Sequence, residues 1–255
     1  SILKVEIDES RPYSFGFVIN NWRSPSVGEL RKEIWASHDN VSGYGDALRF
    51  QYGSTKGLED MTVNYSIPVT ARGARLVLSL NRSQSKIIEA PFNDIDITNQ
   101  LKSDGIQFWY PLRHTIDGYL RGLLYLERRL SESFFFDEPL SIPQLNKDNR
   151  NSVTVLRLGI SWLNRRQNRV LSAFSRLNFG LNAFGATVNQ ENEALPDGKF
   201  ITWFGQFQWI HWWPNYPLNV VFRSDLQLSN KPLLPLEKLG IGGATSVRGY
   251  RENQW

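Results

Sequence analysis

Residues 171–183, LSAFSRLNFGLNA, alternate. Leu171, Ala173, Leu177, Phe179, Leu181 and Ala183 fall on one face, and Ser172, Arg176, Asn178 and Asn182 on the other. A period of two is the signature of a strand with unlike faces. It recurs along the chain. In 219–228, Val220, Phe222, Leu226 and Leu228 oppose Asn219, Arg223, Asp225 and Gln227. Leu120, Leu124 and Leu126 oppose Arg121, Glu127 and Arg129, while Leu156, Leu158, Ile160 and Trp162 oppose Arg157, Gly159 and Ser161. Ile201, Trp203, Phe207 and Trp209 oppose Thr202, Gln206 and Gln208. The pattern predicts about eleven strands, near 13–22, 29–39, 45–54, 59–69, 73–82, 104–111, 117–130, 151–163, 168–184, 199–212 and 217–229.

Many of these stretches reach about nine residues or more, beyond the soluble mode of about five or six and sufficient for a tilted membrane strand. Such strands suit either a soluble sandwich with its apolar face inside or a membrane barrel with that face in lipid. The links favour the barrel. Tight turns at 70–73, 114–117, 164–168 and 213–217 alternate with long polar links at about 83–103, 131–150 and 185–198. Short periplasmic turns and long outer loops describe a bacterial outer-membrane barrel. The aromatic clusters FWY at 108–110 and HWWPNY at 211–216 sit at strand ends, where an interfacial girdle belongs. Arg121, Arg129, Arg157, Arg176 and Arg223, with Asp225, share one wall, as in a water-filled lumen. The negative mean hydropathy of -0.37 argues against a helical membrane protein but not against a barrel, whose inner face is polar.

Composition removes several classes. There is no cysteine among 255 residues, so neither a disulfide framework nor thiolate chemistry is available. The net charge is only +4 and its basic residues are scattered, which argues against nucleic acid. His38, His114 and His211 have no metal-ligand spacing. Asp94, Asp96 and Thr98 have calcium-loop spacing but lack the glycine and glutamate that complete such a loop. No nucleophile elbow, phosphate loop or dinucleotide fingerprint occurs. Neither an enzyme nor a cofactor is expected.

The terminal stretch GIGGATSVRGYREN, residues 240–253, resembles the signature loop of the two-partner-secretion transporters of the outer membrane. These are the TpsB proteins of haemolysin activation/secretion type, relatives of the outer-membrane assembly factor. The match lies in Val247, Arg248, Gly249 and Tyr250, with Gly242 and Gly243 upstream. The opening ESRPYSFGFVINN resembles the family's junction before its first barrel strand. The resemblance implies an antiparallel barrel of about 16 strands, of which this chain carries about eleven, and then an inward-folding loop. It divides the chain into a junction at 1–12, barrel strands at 13–229 and the lumen loop at 230–255. Periplasmic POTRA domains are expected before Ser1 and the remaining strands after Trp255. A pore that passes a large exoprotein from periplasm to surface without nucleotide hydrolysis is the implied function. The implied partners are that passenger and outer-membrane lipid. Arg248 pins the loop in this reading, by pairing with a carboxylate on the wall. The glycines permit the tight turns this needs. A barrel-assembly factor shares the signature, and a soluble β-sandwich binding module remains the alternative outside the membrane.

Overall fold

A computed structural model describes residues 11–136, 138–139, 150–188, 196–242, 246–247 and 250. It is a single antiparallel sheet built from eleven long strands: β1 Tyr13–Asn20, β2 Arg31–Asp39, β3 Ala47–Ser54, β4 Leu58–Pro68, β5 Arg75–Lys86, β6 Ile97–Thr115, β7 Gly118–Phe135, β8 Arg150–Arg166, β9 Arg169–Leu181, β10 Ile201–Trp213 and β11 Leu218–Ser229. Each pairs with its neighbours in sequence, and a two-residue strand at Glu138–Pro139 adds to the end of β7. Among the described residues β1 and β11 are the free edges, so the sheet is an open portion of a barrel wall.

The links sort by end. At one end are residues 116–117, 167–168 and 214–217, and at the other 136–149 and 182–200. The three-residue link 55–57 is short although it lies at the long-link end. Loops 21–30 and 87–96 cover it. The Gly57 amide donates to the Val27 carbonyl at 2.9 Å, the Lys86 amide to Gly57 at 2.7 Å and the Ile88 amide to Ser26 at 2.9 Å. At the short-link end, Asp46 closes the turn between β2 and β3. Burial alone would raise its carboxyl pKa, but hydrogen bonds from the Ser42 amide and the Tyr65 hydroxyl outweigh burial and hold it below the usual carboxylate range.

The faces decide between sandwich and barrel. Leu158, Ile160 and Trp162 on β8 are exposed at 43, 52 and 38%, whereas Arg157, next to Leu158, is 2% exposed. Leu124, Leu126, Leu177, Phe207, Phe222, Leu226 and Leu228 are likewise exposed, and Ser79, Ser103, Glu127, Asn178 and Thr202 are buried. A soluble sandwich requires the opposite. Only hydrocarbon makes an exposed apolar face favourable, and in hydrocarbon every backbone group must be satisfied within the sheet. The fold is therefore an all-β, antiparallel transmembrane barrel wall.

Strands β6 and β7 extend well beyond the sequence expectation, β6 beginning at Ile97 instead of near 104 and β7 ending at Phe135 instead of near 130. The alternation stops where both faces become polar, yet the backbone ladder continues. Arg82 pairs with Asp104 at 2.7 Å, and Arg150 with Glu132 at 2.8 Å. These pairs lie on the parity of the apolar face, toward the long links, Asp104 beside Leu80 and Glu132 farther out. Period two detects the lipid-contacting part of a strand, not the paired part.

Leu177→Arg should destabilise insertion by roughly 2–4 kcal/mol. Ser161→Arg, on the polar face, should cost far less. Urea midpoints for folding into bilayers measure both, and equal losses would mean that the faces are wrongly assigned.

Candidate functional site

The polar face concentrates charge at one place. Glu127 and Arg129 on β7 stand beside Arg157 on β8, since Glu127 pairs in register with Val155 and Tyr125 with Arg157. Alternation keeps all three on the same face. The chain then supplies a fourth member from outside the sheet. After β11 ends at Ser229, residues 231–239 turn back over the polar face, and a 3-10 turn at Pro235–Glu237 delivers Glu237.

Arg157 holds both carboxylates. Its Nη1 donates to Glu237 Oε2 at 2.9 Å and its Nη2 to Glu237 Oε1 at 2.8 Å, a bidentate pair. Its Nε and Nη2 donate to Glu127 Oε2 at 3.2 and 2.9 Å. Arg129 Nε donates to Glu127 Oε1 at 2.9 Å, and its Nη1 to the Leu236 carbonyl at 2.6 Å. The Ser103 hydroxyl donates to Glu127 Oε1 at 2.7 Å. Two guanidinium groups and two carboxylates balance in charge. Neutrality and full hydrogen bonding are what a buried ionic group needs to offset desolvation.

The loop segment also has an apolar foot. Leu233 and Leu234 are buried against Val153, Val155 and Phe200, with Leu236 packed beside them. Burying each leucine contributes about 1.5–3 kcal/mol. Gln227 on β11 closes the far side, donating to the Glu237 carbonyl and accepting from the Leu239 amide at 2.7 and 2.8 Å. On the wall, the Tyr125 ring lies over Gly105, where a Cβ would sit 2.5 Å from a ring carbon. Glycine is required at that crossing so that Tyr125 can lie flat, its ring centroid 6.0 Å from the Arg157 guanidinium. A second cluster stands on the same face toward β1, where Arg31 pairs with both Asp60 and Glu33.

The sequence-predicted residues divide. Arg157, expected to face water, is sealed between Glu127 and Glu237. Arg121 is exposed, its guanidinium 3.8 Å from the centroid of the Tyr119 ring. Arg176 is flanked by the rings of Phe174 and Phe204 at 5.9 and 5.5 Å. Arg223 pairs with Asp225 at 3.2 Å, and Gln206 donates to Asp225 at 2.7 Å. In the terminal loop, Gly242 takes a positive φ of 109° and exchanges hydrogen bonds with the Ser246 hydroxyl. Val247 and Tyr250 are exposed, and the Tyr250 amide donates to the Val247 carbonyl at 3.4 Å. Gly243, Arg248 and Gly249 lie outside the described residues. Glu237, Leu233 and Leu234 had no role in the sequence reading. The stretch KPLLPLEKL offers neither alternation nor a motif, and its contacts are made with residues far away in sequence.

The family model for haemolysin secretion/activation proteins ShlB/FhaC/HecB matches residues 1–255. The chain belongs to this family. It is an integral protein of the Gram-negative outer membrane, not an enzyme, and its exposed apolar face suits that location. CdiB from Escherichia coli is similar in structure, with a TM-score of 0.82 at 18% identity over 96% of this chain and 46% of that one. CdiB from Acinetobacter baumannii gives 0.69 at 16% identity, covering 94% and 43%. BamA from Haemophilus ducreyi, lacking POTRA domains 1-3, gives 0.65 at 14% identity, covering 96% and 47%. The chain thus spans under half the length of each of these structures. No curated protein sequence matches it.

Arg157→Ala leaves two buried carboxylates short of a partner and should cost about 3–5 kcal/mol. Glu237→Gln should affect the wall less but loosen the segment, making Lys238 a faster trypsin site in the folded protein. Unchanged cleavage at Lys238 would mean that the ion pairs do not hold the segment.

Proposed function

We propose that this chain forms the greater part of the wall of an outer-membrane translocation pore. The pore secretes a large exoprotein of haemolysin or adhesin type from periplasm to cell surface, and no nucleotide is hydrolysed. The single observation that supports this reading most is the loop segment at 231–239, folded onto the polar face of a family-matched barrel wall and held there by Arg157 and Arg129. A pore for a polypeptide needs a polar bore and a movable element within it. Arg121, Arg176, Arg223 and Asp225 keep that bore hydrated. Its charges are mostly paired, which limits adhesion of an unfolded passenger.

Val247, Arg248, Gly249 and Tyr250, with Gly242 and Gly243, form the tip of the same loop. Arg248 anchors that tip to a wall carboxylate, and periplasmic POTRA domains present the passenger. A second reading, insertion of other barrels, draws on the BamA likeness at TM-score 0.65.

The test is complementation of a strain deleted for the full-length gene. Passenger should be lost from the medium in the deletion and restored by the intact gene, while other outer-membrane barrels stay at normal levels. A general fall in those barrels would support the assembly reading instead. Arg248→Ala should cut secretion severalfold or more while heat-modifiable, folded barrel still accumulates. Normal secretion by that variant removes the role given to Arg248.

A further inference from the structure

The apolar face carries a feature that secretion does not use. At the short-link end, register places Arg166 directly opposite Arg169, and Arg169 directly opposite His211. These three side chains form one row across β8, β9 and β10 on the lipid-facing parity, because Arg166 lies four residues from Trp162, Arg169 two from Leu171, and His211 two from Trp209. The next row toward the membrane centre is Asn164, Leu171 and Trp209, and the row after that is Trp162, Ala173 and Phe207. The face therefore passes within three rows from cationic, through a mixed row holding Trp209, to the apolar row of Trp162, Ala173 and Phe207.

Two arginines opposite one another in a ladder repel, and neither makes an ion pair among the described residues, although Asp117 lies in the adjoining turn with its carbonyl accepting from the Arg165 amide at 2.6 Å. Residues 160–175 and 205–222 contain no Asp or Glu. The Arg169 Nε is buried and lacks a hydrogen-bond partner. The His211 ring, which could have capped it, packs edge-on against Trp213 at 4.1 Å. A ladder that opposes two cations, excludes acids from both flanking strands and leaves a buried guanidinium donor unused is arranged for an anion from outside the protein. Its height fixes the kind. Tryptophan marks the headgroup level, and the short turns of such barrels face the periplasm, so the row meets the phospholipid leaflet.

We infer that Arg166, Arg169 and His211 form a binding site for the phosphate of an anionic phospholipid in the periplasm-facing leaflet, with Trp209 and Trp213 bordering the headgroup. This deepens the membrane-pore reading and rests on it. Guanidinium pairs suit phosphate geometrically. A bound lipid there would hold the β8–β9 hairpin at a constant depth while the pore works.

The test uses the full-length protein in nanodiscs of phosphatidylcholine with a minor fraction of phosphatidylglycerol, followed by native mass spectrometry of the lipids that stay bound. Phosphatidylglycerol should be retained above its bulk share. Arg166→Gln and Arg169→Gln should each reduce that enrichment roughly fivefold, the value of one cation near a charged surface. Arg165→Gln removes the same charge at the same hairpin but points to the other face, and should leave the enrichment unchanged. Arg166→Lys should keep most of it, which separates charge from a folding defect. Bulk-like lipid composition around an incorporated barrel would overturn the site alone, as would an equal loss from Arg165→Gln. Loss of enrichment on adding inorganic phosphate would overturn the lipid assignment in favour of a free-anion site. A protein that does not enter the discs at all would overturn the membrane reading on which the site depends.

Discussion

The wall works because its two faces meet different solvents. In the hydrocarbon of a bilayer a backbone amide or carbonyl without a partner costs several kcal/mol, so the segment must satisfy itself within a sheet. Side chains then alternate by geometry alone. Leu158, Ile160 and Trp162 are exposed in the chain because lipid covers them in the membrane, and Arg157, Gly159 and Ser161 face the other way. Register is fixed by the same requirement. A slip of one residue would send Arg157 into lipid and Leu158 into the bore.

The polar face brings its own constraint. A narrow polar interior lined by strands concentrates charge away from bulk water, where unpaired ions are costly. The chain meets this by pairing across strands, as with Arg31 and Asp60, and by importing a partner. Glu237 arrives from the segment after β11 and completes the coordination of Arg157. Wall and loop are thereby made interdependent. The same contact that neutralises the wall holds the segment 231–239 against it.

Much of this was legible from the sequence, for a physical reason. Alternation and turn chemistry are local, and a membrane strand shows its apolar side without compromise, so about eleven strands could be counted near their observed positions. The long-link ends of β6 and β7 were not legible, because the ladder persists there while both faces turn polar, as at Asp104 and Glu132. Nor was the role of Glu237. Its partner Arg157 lies 80 residues earlier, and a single glutamate between prolines and leucines has no local signature. Arg157 itself was read as a hydrated channel charge because parity reveals its face but not what covers that face. The VRGY stretch was found by resemblance; Val247 and Tyr250 of it are among the described residues, and Arg248 and Gly249 are not.

The assignment of one face to lipid and the other to water depends on the direction of the alternation. A spin label placed in turn at residues 156 to 163 of the reconstituted protein reads it directly, through collision with lipid-soluble oxygen and with a water-soluble nickel chelate. Labels at 158, 160 and 162 should relax with oxygen, and those at 159 and 161 should favour the nickel reagent or be shielded from both. Uniform accessibility along the stretch, or the reverse alternation, would contradict the assignment of the faces and with it the pore.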